Sequence, residues 1–346
     1  MRRQLLTCAC GAAGVAVFWA AGVPLPFLFG PLVACLLAAL AGVPVAGTGR
    51  LGKVTRTILG VAIGASITPE VMDRVPQMAA SLALVPLFLA LIALIGVPFF
   101  RRVYGLDLPT AWYAAMPGGL QEMVLFGQEA GGNVRVLSLI HATRLLVIVV
   151  AAPLIMTQGF GANLDSPVGD PAATLPPHEM AIMAFAAIAG WKGGERIGLF
   201  GAPILGPMIL AAALSLSGVL HYRPPAEAIL MAQFFIGVGL GAGYVGVTLA
   251  EVRRDVVAGL LFTAMVASLA ALFAEIVILL GLAPQVDAFL AFAPAGQAEM
   301  AVLAIVAGAD LGYVVVHHLT RIFLIITGAP ILARLIGVGR SRPGGP

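Results

Sequence analysis

The chain has 346 residues, 60% of them hydrophobic and 10% charged, whereas a soluble domain carries about 25% charged residues. That composition, with a mean hydropathy of +1.04, leaves no room for a soluble core. The net charge is +3, and the longest polar stretch is an acidic, Pro-rich linker, so no basic soluble domain is present to read DNA. Apolar runs long enough to span a bilayer recur from end to end. The first, Leu5 to Gly22 behind Arg2 and Arg3, has the flanks of a signal peptide. It falls in step with Ile182 to Leu199 in the repeat described below, and is read as a retained span. Further spans are expected at about 25–42, 54–71, 77–100 and 134–157, with the segment 107–132 between the last two broken by Pro117-Gly118-Gly119. Cys8, Cys10 and Cys35 are odd in number and apolar in setting, which suits small core hydrophobes and neither a disulfide framework nor a metal site.

The same pattern then returns. Sliding the chain by 177 aligns Pro117–Pro153 with Pro294–Pro330 without a gap, and 12 of those 37 positions match, among them Glu122/Glu299, His141/His318 and Arg144/Arg321. Apolar bias alone accounts for about four matches and would not select Glu, His and Arg. "LGVAIGA" at 59–65 and "IGVGLGA" at 236–242 keep the same offset, and "FGP" at 29–31 and "LGP" at 205–207 agree at 176. The expected organisation is a first membrane repeat over 1–160, a linker over 161–177 and a second repeat over 178–346.

Orientation depends on whether 107–132 passes through or turns back. A re-entrant segment gives five crossings per half and inverted repeats; a crossing one gives six and parallel repeats. With a cytoplasmic N-terminus and re-entrant segments, 15 basic residues lie inside: Arg2, Arg3, Arg50, Lys53, Arg56, Arg101, Arg102, Arg135, Lys192, Arg196, Arg253, Arg254, Arg334, Arg340 and Arg342. Only Arg74 and Arg223 lie outside, while Arg144 and Arg321 fall within spans. The crossing alternative gives 11 against 6, so the positive-inside rule selects inverted repeats. Each arm of about ten residues is about 15 Å long as a helix, which carries the breaker to roughly mid-membrane. The expected fold is therefore an all-α polytopic membrane protein. Its two inverted repeats each have about five spans and one Pro/Gly-broken re-entrant hairpin.

Candidate binding residues cluster at the two tips: Pro117, Gly118, Gly119, Gln121 and Glu122 in the first, and Pro294, Gly296, Gln297 and Glu299 in the second. A half-helix starting there presents unpaired N–H groups, which stabilise a Glu carboxylate or take an anionic solute. The plainer reading is a Glu capping a kink. His141 with Arg144, and His318 with Arg321, share a helix face in the span after each hairpin. An intramembrane Arg is costly unless paired. Three roles fit it: neutralising Glu122 or Glu299, binding a substrate carboxylate, or bracing hairpin to helix through a salt bridge. The histidines suit proton shuttling or helix packing. The small-residue runs at 60–64 and 237–241 suit close helix packing or a track beside a moving hairpin.

The paired tips, the "HATR" (141–144) and "HLTR" (318–321) spans and the small-residue runs resemble the bacterial membrane AbrB family over essentially the whole chain. The labels given to that family are a membrane regulator of gene expression and an ammonia monooxygenase. No copper-ligand cluster is present among the five His, so no enzyme, catalytic residue, metal or cofactor is expected. The expected function is an elevator-like, ion- or proton-coupled secondary transporter for a small polar or anionic solute. The alternative is a membrane-embedded sensor or regulator that acts on gene expression indirectly. Expected partners are the solute, a coupling ion and the lipid bilayer, without direct nucleic acid and with a homo-oligomer left open. The expected location is the bacterial inner membrane, with both termini cytoplasmic.

Overall fold

A computed structural model describes residues 2–338 apart from Pro24, Thr48, Asp165, Val168 and Phe200. Arg340 and Arg342, counted above, lie outside the described residues, and so does the side chain of Gln121. Helices account for the ordered elements, with no strand among the described residues. The first half comprises α1 (Arg2–Ala20), α2 (Pro26–Leu40), α3 (Gly49–Gly64), α4 (Pro69–Val103), α5 (Leu108–Ala115), α6 (Leu120–Glu129) and α7 (Val134–Gly159). The second comprises α8 (Pro177–Arg196), α9 (Ala202–Leu216), α10 (Ala226–Ala242), α11 (Leu249–Leu279), α12 (Gln285–Phe292), α13 (Gln297–Val306) and α14 (Leu311–Leu335). The sequence register carries into the helices: α5, α6 and α7 begin at 108, 120 and 134, and adding 177 gives 285, 297 and 311, the starts of α12, α13 and α14.

Among the described residues, five helices are long and apolar enough to cross a membrane: α1 from Arg3, α4, α7, α11 and α14. α2, α9 and α10 are apolar but have 15, 15 and 17 residues, about 22–26 Å against a hydrocarbon core of roughly 30 Å. Val17 and Trp19 of α1, Leu94 of α4, Ile188 of α8 and Phe323 of α14 are all well exposed, a surface suited to lipid and unsuited to water.

One expected boundary moves. The spans read at 54–71 and 77–100 divide instead between Gly64 and Pro69. Pro69 opens α4 at a position where no N–H is needed, Met72 N donates to Thr68 O, and Glu70 places an acid in the first turn. The expected spans leave Asp73 and Arg74 in the loop between them and put Glu70 at the end of the first. Arg74 instead lies on the helix and pairs with Asp310 at 2.8 Å.

Packing divides the chain into two units, each drawing on both halves. One comprises Met1–Gln77, Pro153–Val247 and Ala301–Tyr313; the other comprises Met78–Ala152, Thr248–Met300 and Val314–Pro346. In the first unit the small-residue runs are crossing points. A Cβ on Gly60 or Gly64 of α3 would strike the Ile204 or Met208 carbonyl of α9, and one on Gly237 or Gly241 of α10 would strike the Leu28 or Leu32 carbonyl of α2. These glycine faces are filled by helix backbone, which selects the packing role over the sliding track. Gly64→Val therefore forces α3 off α9. A loss of about 1–3 kcal/mol in unfolding free energy is expected by denaturant titration, whereas Gly193→Ala, which meets open space, should cost less than half that.

Candidate functional site

The second unit holds the first broken hairpin whole and, of the second, the break and its flanks up to Met300. Pro117 disfavours helical backbone at the residue before it, and Met116 is extended at φ −72, ψ 126, so α5 stops after two turns. Gly119 is also extended at φ −66, ψ 149 and serves as the N-cap of α6. In the second copy, Ala293 before Pro294 has φ −53, ψ 128, and α13 starts at Gln297. The first hairpin doubles back on itself. Gly131 turns the chain after α6 with φ 83, and Asn133 N then donates to Thr110 Oγ1 at 2.8 Å, joining the end of the hairpin to its beginning.

A half-helix that stops inside protein leaves carbonyls without partners. Arg144 and His141 on α7 supply them. The Arg144 Nη1 donates to Met116 O at 3.2 Å and its Nη2 donates to Gly118 O, while His141 Nε2 donates to Tyr113 O at 3.0 Å. The second copy repeats this clasp atom for atom. Arg321 Nη1 and Nη2 donate to Ala293 O and Ala295 O, both at 2.6 Å, and His318 Nε2 donates to Leu290 O at 2.9 Å. All six carbonyl positions obey the 177-residue offset. Two guanidinium donors also oppose the negative end of each half-helix dipole. A carbonyl only accepts, so both histidines carry their proton on Nε2, leaving Nδ1 as an acceptor. Arg321 Nη2 lies 3.3 Å from His318 Nδ1, whereas His141 Nδ1, Arg144 Nε and Arg321 Nε are buried without a partner. The four side chains are 0%, 1%, 0% and 4% exposed for His141, Arg144, His318 and Arg321, so the clasps are dry.

The glutamates occupy the other side of each break. Glu122 and Glu299 are the third residues of α6 and α13, and each carboxylate folds back into the space where a Cβ on Gly119 or Gly296 would stand. This is the acid half of a capping box. The N-cap of α6, Gly119, contributes no side chain to the other half. Arg144 lies within electrostatic reach of both Glu122 and Glu299, and Arg321 within reach of Arg144, so the two tips converge in this unit. The bracing role expected of the arginines is met in part at backbone carbonyls, where the terminal guanidinium nitrogens are held. Gln297 is buried at the start of α13, and Pro117, Gly118, Pro294 and Gly296 form the breaks themselves.

Three contributors carry little sequence signal. Thr110 closes the first hairpin. Trp112 Nε1 donates to Ala329 O at 3.2 Å, tying α5 to α14. His317, beside the matched His318, contacts Ser81 Oγ through Nε2 at 3.0 Å. Trp112 and His317 have no identical residue at the 177 offset, where Phe289 and Ile140 stand, so matching by identity does not flag them.

Fold and site together define a helical, membrane-type protein with two broken-helix hairpins clasped by buried arginines. The chain belongs to the family described as Transition state regulatory protein AbrB, which matches residues 27–337, in agreement with the resemblance read from the tips. It is similar to YhjN of Bacillus subtilis strain 168, 28% identical over 363 aligned positions that cover 96% of this chain and 93% of that protein. It is also similar to a protein of Escherichia coli K12 that bears the name "Putative regulator AbrB", 25% identical with 92% of each chain covered.

Proposed function

We propose that the chain is an inverted-repeat secondary transporter, elevator-like and coupled to protons or another ion, for a small polar or anionic solute. The observation that carries this reading is the pair of matched tips, where a half-helix begins at a break, Glu122 and Glu299 fold back on it, and buried Arg clasps hold it, all within one unit. Irregular backbone at membrane depth persists only when it is buried in protein or lines a water-filled cavity, and broken helices of this kind hold solutes in transporters. The closed base of the first hairpin supports five crossings per half, and hence inversion of the second half. The location follows: an inner membrane, both termini cytoplasmic and the linker outside. A ligand screen by thermal shift tests the site, since a solute that binds at the tips raises the melting temperature of the wild type and not of Glu299→Gln.

Inversion is checked separately. With Cys8, Cys10 and Cys35 replaced, single cysteines at Arg101 and Arg135 are expected to escape an impermeant maleimide in intact cells, and those at Ala172, Leu282 and Leu311 to react. Opposite labelling of Arg101 and Arg135 overturns the re-entrant hairpin.

A second reading, a membrane-embedded sensor that uses the same tips without transport, is favoured by the name of the Escherichia coli relative. Flux separates the two.

A further inference from the structure

Away from the tips, two Arg–Arg pairs sit on widened helical turns. The last turn of α4, Phe99–Val103, and an early turn of α11, Val252–Val256, are both π-helical and carry Arg101-Arg102 and Arg253-Arg254. π-turns inside α-helices are rare and concentrate at functional sites. The two turns meet in the second unit: Arg254 Nη2 donates to Tyr104 O at 3.4 Å, and the Phe100 and Phe262 rings contact in a tilted pair with centroids 4.7 Å apart. Beside the first pair is a surface depression of about 390 Å³ lined by Val97, Pro98, Arg101 and Arg102.

The local acids do not neutralise this cluster. Glu251 holds Arg135 at 2.7 Å and caps its own helix through Thr248. Asp255 is buried 3.9 Å from Arg254. Among the described residues Arg101, Arg102 and Arg253 make no ion pair, and all three are exposed. Arg253 and Arg254 also stand in the first turns of α11, at the positive end of its dipole, where a cation is disfavoured unless an anion is near. Beside the arginines, exposed Leu94 and Ile95 on α4 and Leu260 and Leu261 on α11 continue as an apolar surface.

We propose that this part of the second unit binds an anionic phospholipid, its phosphate held by Arg101, Arg102 and Arg253 and its acyl chains lying along Leu94, Ile95, Leu260 and Leu261. Each guanidinium near an anionic membrane surface adds an attraction that salt screens. The experiment is thermal unfolding of the full chain in nanodiscs of phosphatidylcholine alone or mixed with phosphatidylglycerol. Wild type is expected to melt higher in the mixture, by an increment that shrinks in high salt. The triple variant Arg101→Gln, Arg102→Gln, Arg253→Gln should lose that increment, while Arg196→Gln, at the end of α8, should keep it. If the triple glutamine variant does not fold, the single variants Arg101→Gln, Arg102→Gln and Arg253→Gln replace it, and native mass spectrometry reads the result: each should retain fewer phosphatidylglycerol adducts than wild type. Glycerol phosphate added to phosphatidylcholine discs distinguishes a soluble anion from a lipid. An equal increment with it, or an unchanged phosphatidylglycerol increment in the triple variant, overturns the proposal.

Discussion

Arg144→Met is expected to lower the unfolding free energy by about 2–6 kcal/mol, because it orphans two buried carbonyls, Met116 O and Gly118 O, at about 1–3 kcal/mol each. Arg321→Met removes the matching donors from Ala293 O and Ala295 O and should cost as much. Chemical unfolding in detergent reads both. Arg144→Lys separates the fork from the charge: a single ammonium cannot donate to both carbonyls in the same geometry, so about half the loss should remain. Glu122→Gln combined with Arg144→Met tests the rival pairing. The carbonyl clasp predicts a coupling below about 1 kcal/mol, and near-complete recovery in the double variant would restore the Arg–Glu ion pair as the main bond.

Gly119→Ala and Gly296→Ala are expected to weaken solute binding at least tenfold, about 1.4 kcal/mol, while leaving most of the fold intact. The added methyl takes the space of the Glu122 or Glu299 carboxylate, which must swing away and leave the half-helix N-terminus uncapped. Gly118→Ala is the matched control. Its Cβ meets the flexible end of Met123, which can yield, and its carbonyl still faces Arg144. Isothermal titration with a solute found by the thermal-shift screen reads the series. Equal weakening by Gly118→Ala would assign the effect to the break as a whole rather than to the carboxylate.

The helical class and the two broken hairpins were legible because they rest on strong local chemistry. A proline followed two residues on by a glycine, as in Pro117-Gly118-Gly119 and Pro294-Ala295-Gly296, favours a helix break, and the 177 offset made each break confirm the other. The helix start at Pro69 was less legible, since hydropathy carries the preceding span on through Glu70 and leaves Arg74 as loop, while the geometry puts both in the first turns of α4. The partner of Arg144 was hidden for a different reason. A sequence displays carboxylates as candidate partners, whereas a carbonyl becomes a partner only once Pro117 has ended α5 and left it exposed. Arg254 and Tyr104 are 150 residues apart, a contact that no local pattern encodes.

Flux into proteoliposomes of wild type and Glu299→Gln, driven in turn by a proton gradient, a sodium gradient and no gradient, tests the transporter reading most directly. The account predicts uptake of a bound solute above the empty-liposome rate, accelerated by one of the two gradients and lost in the variant. Tight binding of that solute by the wild type with no flux under any gradient would contradict it.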